Sequence, residues 1–233
     1  MQKPNLKNET QLSDSELWAI SLSAMLTQYN RDRHDQIRFH DHSESYEKQC
    51  RMDFKRDWGI SSEEELLKEL EDLGDTRSET TPYCQYKDNT SRLTLQEKEN
   101  IIRDPQLSAL QAHEPDRSGF LFDAYHNVLD RVGKDAWNDG RSVWICRVAL
   151  DAGYISEEKA WEEIFKIAKR CANHYNSWEE FGLSYAAGYQ EWKPSGFKHH
   201  DVDGTMFDLR YLLLGENSPW RHISWEAGQD LLT

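Results

Sequence analysis

The chain lacks most of the features that would fix a chemistry, and each absence removes a class of function. Its four cysteines, Cys50, Cys84, Cys146 and Cys171, show no CxxC spacing. Neither a zinc framework nor a dithiol redox motif is readable, and four reduced thiols are expected. The opening MQKPNLKNETQLSDSE has no apolar core, so no secretory signal is visible, and no apolar run approaches the length of a bilayer span. Basic residues are outnumbered, 28 Lys and Arg against 42 Asp and Glu, for a net charge of −14 without a long basic run. A surface of that sign repels phosphate backbones and anionic lipid. Nucleic acid and membrane are therefore not expected as partners, whereas a basic protein is, and the cytoplasm is the expected location. No GxSxG, P-loop or dinucleotide fingerprint occurs, and neither an alternating strand pattern nor an internal repeat is present.

What is present is a helical pattern rich in large rings. Nine tryptophans within a 12% aromatic content offset an apolar fraction of 37%, because each ring buries a large area. At 233 residues the chain can bury one core without staples. The expected organisation is a flexible N-terminus over 1–12, then a single all-α domain over 13–233 with a long loop near 74–92. Ser13 or Asp14 caps a first helix, SELWAISLSAMLTQYN, and RDRHDQIRFHDHSES follows as a polar connector. A second helix carries Tyr46, Cys50 and Phe54. Ser61 and Ser62, each three residues before a glutamate, open a third with a capping box. Shorter helical runs are expected at 95–103 and 120–132.

The second half is better specified. Three consecutive helices, 134–152, 156–175 and 177–192, are joined by short connectors and should pack as antiparallel neighbours at the centre of a compact multi-helix domain. In the first, Trp137, Arg141, Trp144, Ile145, Val148 and Ala152 fall on one face at about 100° per residue. In the second, Trp161, Ile164, Phe165, Ala168, Cys171, Ala172 and Tyr175 form a stripe, with Lys166, Lys169 and Arg170 facing away. In the third, Gly188 lies within an apolar stripe and marks a close helix–helix approach. A polar loop, KPSGFKHHDVDG, then leads to a last helix, MFDLRYLLLG, and an aromatic tail, SPWRHISW.

These segments carry a resemblance. AWNDGRSVWICRVALDAGYISEEKAW, HYNSWEEFGLSYAAGYQEW and SPWRHISW resemble the bacterial domain-of-unknown-function family 1266, the YbeU/YbeR-like proteins. SELWAISLSAMLT and DWGISSEEELLKEL are similar to that family's first third, and 74–118 is the least similar part. The resemblance implies one helical domain of bacterial, cytoplasmic type and brings no activity with it. Where the family pattern reads Trp-Asp-x-Gly-Arg, this chain has Trp137-Asn138-Asp139-Gly140-Arg141. Asn138 can bond Arg141 across i,i+3 but carries no charge, and Asp139 points about 160° away. That departure counts against a catalytic carboxylate at 138.

Arg141 is the most informative single residue, because a guanidinium inside a tryptophan stripe must find acceptors. One reading is structural, a salt bridge or a stacked Arg–Trp pair. The other is an anion site formed by Arg141 and Asn138 and walled by Trp137, Trp178, Tyr185 and Trp192. Asp201-Val202-Asp203-Gly204-Thr205 resembles the phosphatase signature of the haloacid dehalogenases, but no strand precedes it and too few residues follow for that fold. An EF-hand reading fails for want of ligands. His40-Asp41-His42 and His199-His200-Asp201 read as solvated loops rather than a metal site, so neither metal nor cofactor is expected. His174, off its helix's apolar stripe, reads as a surface or capping residue, and Glu179 and Glu180 as a helix N-terminus. Two functions stay open: a protein–protein interaction or regulatory module, and a hydrolase or transferase acting on an anionic small molecule bound at Arg141.

Overall fold

A computed structural model describes residues 12–41, 43–75, 128–129, 131–192 and 200–232, and these are helical with no strand among them. The helices are α1 (Asp14–Ser21), α2 (Ala24–Asn30), α3 (Glu44–Trp58), α4 (Glu63–Asp75), α5 (Ala136–Asp151), α6 (Glu157–His174), α7 (Trp178–Trp192), α8 (His200–Leu214) and α9 (Pro219–His222), with a closing 3-10 helix at Trp225–Leu232. The caps read from sequence form. Ser13 and Glu16 make a reciprocal capping box, Ser156 accepts from the Lys159 N–H at 3.1 Å, and Ser177 accepts from the Glu180 N–H at 3.1 Å. The three central helices stand within one or two residues of their expected bounds. The expected helix at 95–103, most of that at 120–132, most of the loop near 74–92 and the expected flexible N-terminus up to residue 11 lie outside the described residues, while Val128, Leu129, Arg131 and Val132 are helical. Gly74 and Asp75, expected as the start of that loop, instead complete α4.

Helix α5 is the hub. It packs against α6 and α7 and also touches α1, α2, α3 and α4. Asp139 near its start meets Arg170 near the end of α6, while Cys146 feels Lys159 and Glu163 near the start of α6, so these two helices run antiparallel. The single-face stripe expected for α5 is corrected here. Ala136, Asp139, Gly140, Ser142, Val143, Ile145, Cys146, Val148 and Ala149 are all buried, because neighbours cover the helix on more than one side, while Trp137, Arg141 and Trp144 are half-buried. Arg170, expected to face solvent, turns inward and bonds the fully buried Asp139 through Nε at 3.1 Å and Nη2 at 2.5 Å.

The first helix is broken in two. Ser21 donates to the Leu17 carbonyl at 2.7 Å and Ser23 to that of Ile20 at 2.7 Å. Such side-chain bonds compete with the helix ladder, and the chain re-aims at Leu22–Ser23 before α2. The connector after α2 is also less polar in place than on paper, since His34, Ile37 and Phe39 are buried. What draws it in is Arg147 of α5, which is 0% exposed. Its Nε donates to the Ile37 carbonyl at 3.1 Å, Nη1 to Ser23 Oγ at 2.9 Å and Thr27 Oγ1 at 3.0 Å, and Nη2 to the Arg33 and Gln36 carbonyls at 2.6 and 2.8 Å. All five guanidinium donors are thus used, with the Phe39 ring 3.9 Å away. Asp151, one helical turn on, anchors the same loop by accepting from the Phe39 N–H at 3.1 Å and the Tyr46 hydroxyl at 3.3 Å.

The two ends of the described chain meet in a tryptophan core. Trp178 stacks on Trp220 at 5.2 Å and meets Trp225 edge-on at 4.7 Å, and Trp18 meets Trp225 at 4.8 Å. Three of the four indoles are satisfied by backbone: Trp178 donates to the Ile223 carbonyl, Trp220 to Ser21 and Trp225 to Tyr175, while Trp18 Nε1 is buried without a hydrogen-bond partner among the described residues. The segment expected as polar loop up to Gly204 is corrected as well. His200 to Thr205 form the first turns of α8. No helix among the described residues is long and apolar enough to cross a membrane.

Candidate functional site

Trp137, Arg141 and Trp144 occupy i, i+4 and i+7 of α5 and so share one face. Two neighbours close around that face. At the end of α3, Gly59 takes a left-handed φ of 73° and its N–H caps the Lys55 carbonyl at 3.0 Å, which stops the helix and leaves Trp58 against α5. Trp58 lies 5.9 Å from Trp144. On the other side α7 crosses closely because Gly188 has no side chain; a Cβ there would stand 2.5 Å from the Lys134 carbonyl and 2.5 Å from Trp137 Cβ. The crossing aligns Tyr185, Tyr189 and Trp192 of α7 along the Trp137 ring, at 5.0, 5.1 and 5.7 Å between centroids.

The Arg141 guanidinium sits in this setting, 4.9 Å from the centre of the Trp58 ring and 5.0 Å from that of Trp137. Nη1 donates to Asn138 Oδ1 at 3.2 Å, the i,i+3 contact expected from the sequence. No other hydrogen bond and no ion pair engages Arg141 among the described residues, so the rest of its donors meet no acceptor among them. Burial pulls its pKa down, while Glu69 of α4 and Tyr185 push it back up. The contrast with Arg147 is chemical: that guanidinium is consumed by the fold, whereas Arg141 keeps an open fork beside two ring faces.

A further carboxyl belongs to the same neighbourhood. Asp208 of α8 has no hydrogen-bond partner among the described residues, and burial pushes it up to about 6. Both Arg141 and Asp208 act on Tyr185, whose hydroxyl is held well above the ordinary phenol value, chiefly by burial. Tyr185 thus links the open cation to an acid poised near neutrality.

Of the residues expected at the site, Arg141, Asn138, Trp137, Tyr185 and Trp192 come together, with Trp192 59% exposed at the rim. Trp178 does not join them. It is 6% exposed and belongs to the tryptophan core with Trp18, Trp220 and Trp225. Trp58 and Asp208 were not anticipated; Trp58 lies one turn past Phe54 of the second helix, and Asp208 within the last helix, MFDLRYLLLG. His174 bonds the Val132 carbonyl through Nε2 at 2.9 Å and has no role beside Arg141. His40 reaches Asp32 at 3.9 Å, while His42, His199 and the His200 side chain lie outside the described residues. No cluster of three or more His, Cys, Asp or Glu able to hold a metal ion occurs among the described residues.

The family model described as "Protein of unknown function (DUF1266)" matches residues 53–225. The chain belongs to the DUF1266 family. No curated protein and no solved structure matches it. The match contains every residue of the site in this DUF1266 protein, from Trp58 to Asp208. The opening segment that also resembles the family lies outside the match, as do Ser23, Thr27 and the loop carbonyls that hold Arg147.

Proposed function

We propose that this DUF1266 protein is a cytoplasmic interaction or regulatory module whose recognition centre is the Arg141 face of α5 and α7. The observation that carries this reading is the open Arg141 fork, set between the Trp58 and Trp137 rings without a carboxylate partner among the described residues. Arginine and tryptophan in a partly desolvated pocket are the residue types that dominate binding energies at protein interfaces. Trp192 extends the aromatic surface outward to solvent. The net charge of −14 favours a partner that is basic overall, since long-range steering depends on the summed charge and the central contact on local chemistry.

The test is affinity capture with tagged full-length protein from its own cytoplasm, run in parallel with Arg141→Ala and Trp192→Ala. The expected result is a stoichiometric protein held by wild type, released by high salt and lost from Arg141→Ala, whose melting temperature falls by no more than about 4 °C. Equal retention by both variants overturns the assignment of this face.

A second reading, a hydrolase or transferase acting on an anionic small molecule, is favoured by one observation: Asp208, poised at about 6, and Arg141 act on the same tyrosine. A carboxyl with that pKa suits general acid–base work near neutral pH. Under this reading Asp208→Asn removes turnover of the bound anion and leaves its affinity unchanged, whereas under the binding reading Asp208→Asn changes neither capture nor affinity.

A further inference from the structure

Three features of the Arg141 site narrow the chemistry of what it receives. The first is charge: the groups that act on Arg141 are Glu69 and Tyr185, and neither is a cation. Phosphate and sulfate recognition draws on several cations or on a helix N-terminus. Arg141 instead stands in the interior of α5, which runs from Ala136 to Asp151. A dianion placed there would carry one uncompensated charge beside Glu69, on a chain of net charge −14.

The donor geometry is the second feature. With one Nη1 hydrogen held by Asn138 Oδ1, the donors left free are those of a planar fork, which matches two in-plane oxygens of a carboxylate. The third is the surroundings. Beyond the guanidinium the surface is ring: Trp58 and Trp137 at 4.9 and 5.0 Å, then Tyr189 and the exposed Trp192.

We propose that the Arg141 site binds a single carboxylate carried on an apolar or aromatic body, the carboxylate taken by the free guanidinium edge and the body laid against the rings of Trp137 and Trp192. This deepens the recognition role given to Arg141 above and rests on it. The same chemistry occurs in a free aromatic acid and at the C-terminus of a protein tail that ends in an aromatic residue.

The experiment follows the arginine Nε–H signals of the full-length protein by NMR, with the Arg141 signal assigned by its loss in Arg141→Lys. Probes are phenylacetate, its neutral counterpart 2-phenylethanol, inorganic phosphate, and an acetylated tetrapeptide ending in Phe as free acid or as amide. The expected result is a saturable shift of the Arg141 signal with phenylacetate or the peptide acid, roughly ten-fold or more tighter than with phosphate, and none with the alcohol or the amide. Tighter binding of phenylacetate assigns the free acid as source, and tighter binding of the peptide acid assigns a protein tail. The proposal is overturned if neither acid shifts the signal saturably, if phosphate binds as tightly, or if Arg141→Lys, followed by its tryptophan indole N–H signals, retains the acid's affinity. Should capture of a protein partner still depend on Arg141 while no acid binds, the ligand class falls and the recognition role stands. Should acids bind while capture ignores Arg141, the protein-partner reading falls instead.

Discussion

Two arginines six positions apart on one helix illustrate how little a residue's type says about its job. Arg147 is fully buried and gives every donor to Ser23, Thr27 and three loop carbonyls. Arg147→Ala takes the guanidinium donors from the Arg33, Gln36 and Ile37 carbonyls, while Ser23 and Thr27 keep their bond to each other, and a loss of about 3–5 kcal/mol in urea unfolding is expected. Arg141 makes one hydrogen bond and two ring contacts, so Arg141→Ala is expected to cost about 1 kcal/mol. Equal losses in the two variants would remove the distinction between them. His34 carries a pH signature. Burial lowers it to about 3, with the Arg147 charge adding to the effect. Below its unfolded value of 6.5 the unfolded chain takes up a proton that the folded chain refuses, so this group's stabilisation is lost as pH falls from 6.5 towards 3. Asp32, Asp151 and Asp208, all raised by burial, act with the opposite sign, and acidification relieves their cost. Comparing His34→Gln with wild type at pH 7 and pH 5 cancels the aspartates. The variant should lose less stability between those pH values, by about 2 kcal/mol.

At the scale of elements, helix spacing is set where side chains are missing. Gly188 admits Trp137 and Gly228 admits the Trp18 ring, whose atoms would stand 2.3 Å from an added Cβ. Gly188→Ala and Gly228→Ala are each expected to destabilise by about 1–3 kcal/mol through overpacking against backbone or a locked ring. Gly204, within α8, meets nothing within 4 Å, and Gly204→Ala is expected to stabilise by about 0.5–1 kcal/mol. Thermal or urea melts of the three variants check both signs together. Gly188→Ala should also weaken ligand binding, since the crossing it permits places Tyr189 and Trp192 beside Trp137. The close approach at Gly188 was legible from its place in an apolar stripe. The break in the first helix was not, because Ser21 and Ser23 bond backward only in a context where Arg147 also claims Ser23.

Across the whole molecule, the N-terminal α1 and the C-terminal tail share one core. Trp220 donates to the Ser21 carbonyl, 199 residues apart in sequence, and Trp18, Trp178 and Trp225 pack ring on ring between them. Trp220→Ala is expected to cost about 3–5 kcal/mol and to lower the whole unfolding transition rather than detach the tail. Coincident loss of tryptophan fluorescence and helical circular dichroism checks this, and a separate early transition of the tail would contradict it. Trp178 belongs to this core and not to the Arg141 face. Both positions read alike in sequence, as an aromatic residue on a helix stripe, and the stripe alone does not say which neighbour covers it.

The all-α class, the bounds of α5, α6 and α7, the caps of α6 and α7, the Arg141–Asn138 contact and the family resemblance were all determined by sequence, because they rest on residues close to one another along the chain. Periodicity and capping are local physics, complete within one or two turns. Which arginine the fold consumes and which it leaves open was decided only by tertiary structure. Arg141 and Arg147 are each a lone cation among apolar neighbours, and the acceptors that separate them lie more than a hundred residues away, on α2 and the loop after it. The same holds for Asp139, buried against Arg170, and for Asp208, raised to about 6 by neighbours that no spacing rule names. A charge's role follows from what desolvates it and what answers it, and both come from chain segments that only folding brings together.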